Sequence, residues 1–118
     1  MRYTISEMAS LLGVTTHTLR YYEKMGLIRP EVNEETGYRY YTVTDTRRFN
    51  LCRELRAAEL SLEECRELIG RPSVEQSDKM FARQAARLRR RQVLDELSIH
   101  FLEKMQEQYR TLEQDVGR

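Results

Sequence analysis

The sequence predicts a mainly α protein: a small winged helix-turn-helix domain with one β-hairpin, followed by a single long helix. Three observations lead there. Two short segments of helical apolar periodicity flank Gly13-Val14-Thr15, a three-residue turn that suits a helix-turn-helix. A Tyr-rich stretch with isolated Asn and Gly follows directly, as a hairpin wing would. From Val74 to Val116 there is neither Pro nor Gly, so nothing interrupts a last helix.

In the first segment, Ser6 is the expected N-cap, with Glu7 in the first turn where the helix dipole favours an acid. Ile5, Met8, Ala9 and Leu12 recur at i, i+3, i+4, i+7, and Gly13 ends the helix. Thr15 is expected to cap the second helix, which turns Leu19 and Tyr22 to the core and stops at Gly26. Leu27-Ile28 and Tyr38-Arg39-Tyr40-Tyr41 read as two short strands around a polar tip containing Asn33 and Gly37. Thr42 with Asp45, Ser61 with Glu64, and Ser73 with Gln76 are three capping boxes or their variants, each opening a helix. Phe49, Cys52 and Leu55 form the buried stripe of the third helix. Leu60 is placed to staple onto Cys65 of the fourth, which Gly70 closes.

The last helix would be roughly 64 Å long at 1.5 Å per residue. Propensity alone does not hold a polar helix of that length, so its apolar stripe needs a partner. The stripe is Phe81, Ala85 and Leu88, then Leu94, Leu97, Phe101, Met105, Tyr109, Leu112 and Val116. Its later steps of three and four follow a straight-helix period, not a strict heptad. Two domains are expected: residues 1–70 and the helix at 73–116.

Composition narrows the function. Apolar residues make up 40% of the 118 and charged residues 33%, a mix that suits a soluble, helix-rich protein. No apolar run approaches the roughly 18 residues of a membrane span, and the N-terminus lacks a signal-peptide core, so a cytoplasmic protein is expected. Cys52 and Cys65 sit at apolar helical positions and read as small core residues, not as a disulfide framework. No cofactor, metal or catalytic site is expected: His17 and His100 are far apart, and the five glycines are scattered. Residues 1–70 hold ten Lys/Arg against eleven Asp/Glu, a net of −1, and the remainder carries +2. A nucleic-acid surface must therefore come from where charges sit, not from their total. The basic run Arg87-Leu88-Arg89-Arg90-Arg91 reads as a solvated face, with an acidic or phosphate partner as the alternative.

Placement does favour double-stranded DNA. His17, Arg20, Tyr21 and Lys24 share one face of the second helix, and the major groove admits one such helix. Arg can bind guanine O6 and N7 together, while Tyr and Lys reach phosphates. The competing reading of Arg20 is a surface ion pair with Glu23. In the wing, Tyr38 and Arg39 are the expected backbone contacts. Strand alternation requires at least one of Tyr38 and Tyr40 to be core, so Tyr40 is a looser assignment.

The run from Thr15-Thr16-His17-Thr18-Leu19-Arg20-Tyr21-Tyr22 through Met25-Gly26-Leu27-Ile28-Arg29-Pro30 to Gly37-Tyr38-Arg39-Tyr40-Tyr41 resembles the MerR family of bacterial transcriptional regulators. The resemblance continues through Leu51-Cys52-Arg53-Glu54-Leu55-Arg56 and Leu60-Ser61-Leu62-Glu63-Glu64 into the last helix, so it covers essentially the whole chain. It implies DNA contacts by Thr15, Thr16, His17, Arg20, Tyr21, Lys24, Tyr38, Arg39 and Tyr40. It also implies an antiparallel two-helix coil between two subunits, a near-palindromic promoter site, and distortion of the promoter spacer so that RNA polymerase can use it. Metal-sensing members place cysteines near the far end of the dimer helix, and none occurs there in this sequence. Two departures stand out: Glu59 where the family usually has Gly, and Thr46 where it often has an apolar residue. An architectural DNA-bending factor of the excisionase type is the alternative, but it would not need the long helix. Family members usually carry an effector region after that helix. The sequence ends at Asp115-Val116-Gly117-Arg118, so no ligand sensing by this chain is expected; the favoured expectation is the N-terminal part of a longer regulator, and the alternative is a short member controlled by its own abundance or by a partner protein.

Overall fold

The first helix, α1 (Ile5–Leu12), starts two residues earlier than a Ser6 cap predicts. Thr4, not Ser6, is the N-cap: its Oγ1 accepts from Glu7 N at 3.2 Å, and its own N–H donates to Glu7 Oε1 at 3.0 Å. Both residues can cap, but only Thr4 has a carboxylate three positions on, which satisfies two otherwise orphaned N–H groups at once. The computed structural model describes residues 1–116. After α1 come α2 (Thr16–Lys24), β1 (Glu31–Val32), β2 (Arg39–Tyr40), α3 (Val43–Ala57), α4 (Leu62–Ile69) and α5 (Val74–Val116).

Gly13 adopts φ 70°, a left-handed conformation that costs an L-residue about 1–2 kcal/mol. It lets the chain reverse from α1 into α2, where Thr15 Oγ1 caps by accepting from Thr18 N at 3.1 Å. Leu19 of α2 is fully buried with Met8, Ala9, Leu12, Ile28, Tyr41 and Phe49. A second cluster holds Leu27, Cys52, Leu55, Leu60 and Cys65 between α3 and α4. Tyr22 packs against both, its ring 4.8 Å from that of Phe49. Leu60 and Cys65 thus sit together as the staple expects, and both cysteines are free and fully buried.

The wing is shorter and shifted from its expected place. Its antiparallel strands pair Glu31 with Tyr40 and Val32 with Arg39. Leu27 and Ile28 are not in a strand: they are buried core residues of a connecting segment. That segment is fixed by other means, because Arg29 N donates to Asp45 Oδ1 at 3.1 Å and the next residue, Pro30, has no N–H for a ladder. Asp45 is buried; its other oxygen accepts from Thr42 N at 3.0 Å, closing the start of α3. Tyr41 N and O instead bond Tyr3 O and N, at 2.7 and 2.8 Å, tying the N-terminus to the end of the wing.

The two departures from the family pattern are accommodated differently. Glu59 lies at φ 66°, so a glycine-type turn between α3 and α4 is made here by a side chain that resists it. The Thr46 hydroxyl approaches Met8 Sδ at 3.4 Å and Thr42 O at 3.5 Å, which satisfies it in a part-buried position.

The chain divides into two compact units, Met1–Met80 and the segment from Phe81 onward. Ser73 and Gln76 cap α5 reciprocally, at 3.1 and 3.2 Å. Of the expected stripe, Phe81, Leu94, Leu97, Phe101, Tyr109 and Leu112 are exposed, and Leu88 and Met105 are half-buried. Phe101 is 59% exposed and Tyr109 66%, values that leave most of each ring uncovered. Leu102, beside Phe101, widens the apolar band beyond the sequence reading. The side chain of Val116 lies outside the described residues.

Candidate nucleic-acid interface

The helical period of α2 sends Leu19 inward and leaves an outer face free. His17, Arg20, Tyr21 and Lys24 are all exposed there, so the four expected contact residues do share one solvent face. Thr15 and Thr16 lie at its start. Thr15 is already engaged, since its hydroxyl caps α2 and also bonds the Thr18 hydroxyl at 3.0 Å. Arg20 makes no ion pair among the described residues, so pairing with Glu23 does not explain it.

Glu23 is instead the anchor of the wing. Its Oε1 is ion-paired with Arg39 Nη1, and its Oε2 accepts from the Tyr41 hydroxyl at 3.2 Å. Burial, followed by the Glu23 carboxylate, pushes the Tyr41 hydroxyl up to about 12 from its ordinary 10.0. Glu23 thereby fixes β2 against α2. Arg20 from the helix and Gly37, Tyr38 and Arg39 from the wing line one open hollow of about 490 Å³, shared with Thr4, Ile5, Glu23 and Tyr41.

Within the wing, Asn33 organises the tip: its Oδ1 accepts from Glu35 N at 2.9 Å and Thr36 N at 3.3 Å. Gly37 at φ 72° then returns the chain, with Gly37 N donating to Asn33 O at 2.7 Å. Tyr38 is 77% exposed, a ring displayed to solvent. The expectation that Tyr38 or Tyr40 is core is not met. Tyr38 is exposed, Tyr40 is half-buried, and the core position falls to Tyr41. The fully buried aromatic is one residue later because Tyr41 leaves the hairpin to bridge Tyr3.

Tyr40 is not part of the hollow. Its hydroxyl donates to Glu31 Oε2 at 2.6 Å, which raises its pKa from the ordinary value, and the Arg2 guanidinium lies 4.4 Å from its ring centroid. Arg2 and Glu23 are the residues that sequence reasoning missed. A cation–π contact across 38 positions and an ion pair across 16 leave no periodic trace. Glu34 and Glu35 at the wing tip are exposed and oppose any polyanion nearby.

Two helices in a tight Gly turn, a hairpin braced on the second, and an open polar face between them define a winged helix-turn-helix protein. Residues 3–71 match the MerR HTH family of regulatory proteins, and the chain belongs to that family. It is 43% identical over 67 residues to the HTH-type transcriptional regulator ZntR of Escherichia coli K12, covering 57% of this chain and 48% of that protein. With the regulator CueR of Salmonella typhi it shares 40% over 65 residues, covering 55% and 47%. The chain thus spans about half the length of the curated relatives it matches. Among solved structures it is similar to HiNmlR, described as a MerR family regulator lacking the sensor domain, bound to promoter DNA. That match has 26% identity, a TM-score of 0.62, and covers 88% of this chain and 92% of the other. A MerR family regulator from Bacillus cereus is similar at 26% identity and a TM-score of 0.70, covering 93% and 84%. Among the described residues no helix is long and apolar enough to cross a membrane.

Proposed function

We propose that this chain is a sequence-specific DNA-binding transcriptional regulator that acts as a homodimer, and not an enzyme. The observation that carries the reading is the exposed row His17, Arg20, Tyr21 and Lys24 on a helix flanked by a braced wing. Residues 1–70 bind DNA, with α2 in the major groove and Tyr38 and Arg39 on the flanking backbone. Thr15 and Thr16 place the helix N-terminus at a phosphate, and Tyr40 contributes indirectly by fixing the wing strand.

Residues 73–116 join two copies in an antiparallel coil. The uncovered apolar band supports this, because a helix of 43 residues with large side chains in water needs a partner. A two-fold dimer reads a near-palindromic site. Distorting an overlong promoter spacer for RNA polymerase follows from the family, and bending a duplex stores enough free energy for such a switch. The similarity to a family regulator described as bound to promoter DNA supports the same reading. Sedimentation equilibrium tests the dimer directly. The wild-type chain should sediment as a dimer, and charged residues at Phe101 and Met105 should give monomers with weakened DNA binding. A dimeric double variant would remove the helix from this role.

A further inference from the structure

Four arginines from three separate stretches converge on a second hollow, distinct from the one between α2 and the wing. It is lined by Gly26, Arg29, Arg48, Arg66, Ile69, Gly70 and Arg71 and holds about 170 Å³. Arg29 lies in the segment between α2 and β1, Arg48 projects from α3, and Arg66 and Arg71 come from α4 and the turn after it. No carboxylate lines the hollow among the described residues. Asp45 is turned to backbone: it accepts from Arg29 N and Thr42 N. Arg66 Nε donates to Met25 O at 2.8 Å, which holds that side chain over the cavity, and its Nη1 reaches Glu63 at 3.5 Å. Arg29, Arg48 and Arg71 make no ion pair among the described residues.

Two features make this more than a solvated surface. Only Arg66 of the four has a carboxylate partner among the described residues, so the guanidinium groups repel one another, and an anion in their midst adds an attraction to each that offsets that repulsion. Arg71 also sits at φ 60°, a left-handed conformation that resists any side chain, directly after Gly70. We propose that this hollow is an oxyanion site that takes a phosphate group, held by Arg29, Arg48, Arg66 and Arg71. Guanidinium forks match tetrahedral oxyanions by paired, charge-assisted hydrogen bonds. The phosphate can come from a DNA backbone beyond the α2 face or from a free phosphate compound. The chemistry at the site is the same.

Calorimetric titration of inorganic pyrophosphate into the full chain, at fixed ionic strength, tests it. Saturable binding with one site per chain is expected. Arg29→Gln and Arg71→Gly should each weaken it by at least about tenfold, the loss of one charge-assisted pair. Arg71→Gly should meanwhile raise the melting temperature, because glycine relieves the left-handed backbone, so lost binding cannot be put down to misfolding. Arg89→Gln/Arg90→Gln, which removes more charge elsewhere, should leave binding unchanged. No saturable binding, or an equal loss in the control, would overturn the proposal and leave the arginines as partners of helix C-terminal carbonyls. Repeating the titration on the DNA-bound protein separates the sources. Pyrophosphate excluded by the duplex assigns a backbone phosphate, and undiminished binding assigns a free one. Failure to bind any duplex would count against the regulator reading while the titration still decides the pocket.

Discussion

Arg39 on the second wing strand is ion-paired with Glu23 on α2, and the same carboxylate accepts the Tyr41 hydroxyl, so one side chain braces the wing against the helix beside it. The pairing means that Arg39 is not a free cation for phosphate. Arg39→Ala should weaken binding to all DNA sequences alike. It should lower the salt slope by less than the roughly 0.9 expected per released counterion, because Glu23 already offsets part of the charge. In a Glu23→Gln background the same change should have the full effect. Titrations at four salt concentrations check both slopes. Equal slopes in the two backgrounds would mean the pair is broken in the complex.

Arg20 stands differently. It is exposed in the middle of the α2 face and free of ion pairs among the described residues. Arg20→Ala should cost about 1–3 kcal/mol of specific binding and relax base preference at one position, with little change in salt slope. Binding measured on duplexes substituted at each base pair decides the point. A uniform loss across all of them would move Arg20 to the backbone.

Glu34 and Glu35 are exposed at the wing tip and make no ion pair among the described residues. If the wing lies along the duplex, both repel it. Glu34→Gln/Glu35→Gln should tighten binding by roughly 0.5–1 kcal/mol at low salt, and the gain should fade as screening increases. Unchanged affinity at low salt would place the wing tip away from the DNA.

Alkaline pH probes the two cores. Burial, then the neighbouring Cys65, pushes the Cys52 thiol from 9.0 up to about 12, and burial with Glu23 pushes Tyr41 from 10.0 to about 12. Both groups are acids raised on folding, so the unfolded chain loses these protons first. Their contribution to stability is complete below about pH 9 and is lost as pH rises toward 12. The melting temperature should therefore fall through that window. At pH 8 both thiols should label with a thiol reagent only as fast as the domain opens. Rapid labelling without unfolding would contradict the buried cysteine pair.

Much of the fold was legible because it is written in local chemistry. The caps at Thr15, Ser61 and Ser73 are side chains reaching backbone three residues on, and the α2 face is a simple period. Ser6 competed with Thr4 for the first cap, and the deciding fact was the carboxylate at Glu7. The strands were misplaced because a β-pair is a relation between distant residues. Leu27 and Ile28 are apolar because the core needs them, not because they join a ladder. Glu59 was visible as a side chain in a glycine's place, and its φ of 66° bears that out. Arg2 on Tyr40, Glu23 on Arg39 and the four converging arginines were not legible, since each joins residues that only the tertiary fold brings together.

The central claim is that a dimer of this chain reads a two-fold symmetric DNA site. Selecting bound duplexes from a random pool, with the purified chain as the only protein, tests it most directly. The expected result is an enriched sequence made of two inverted half-sites at one fixed spacing, lost when Arg20 is replaced by Ala or when Phe101 and Met105 are made charged. Enrichment of a single unrepeated half-site, or of no sequence at all, would contradict it.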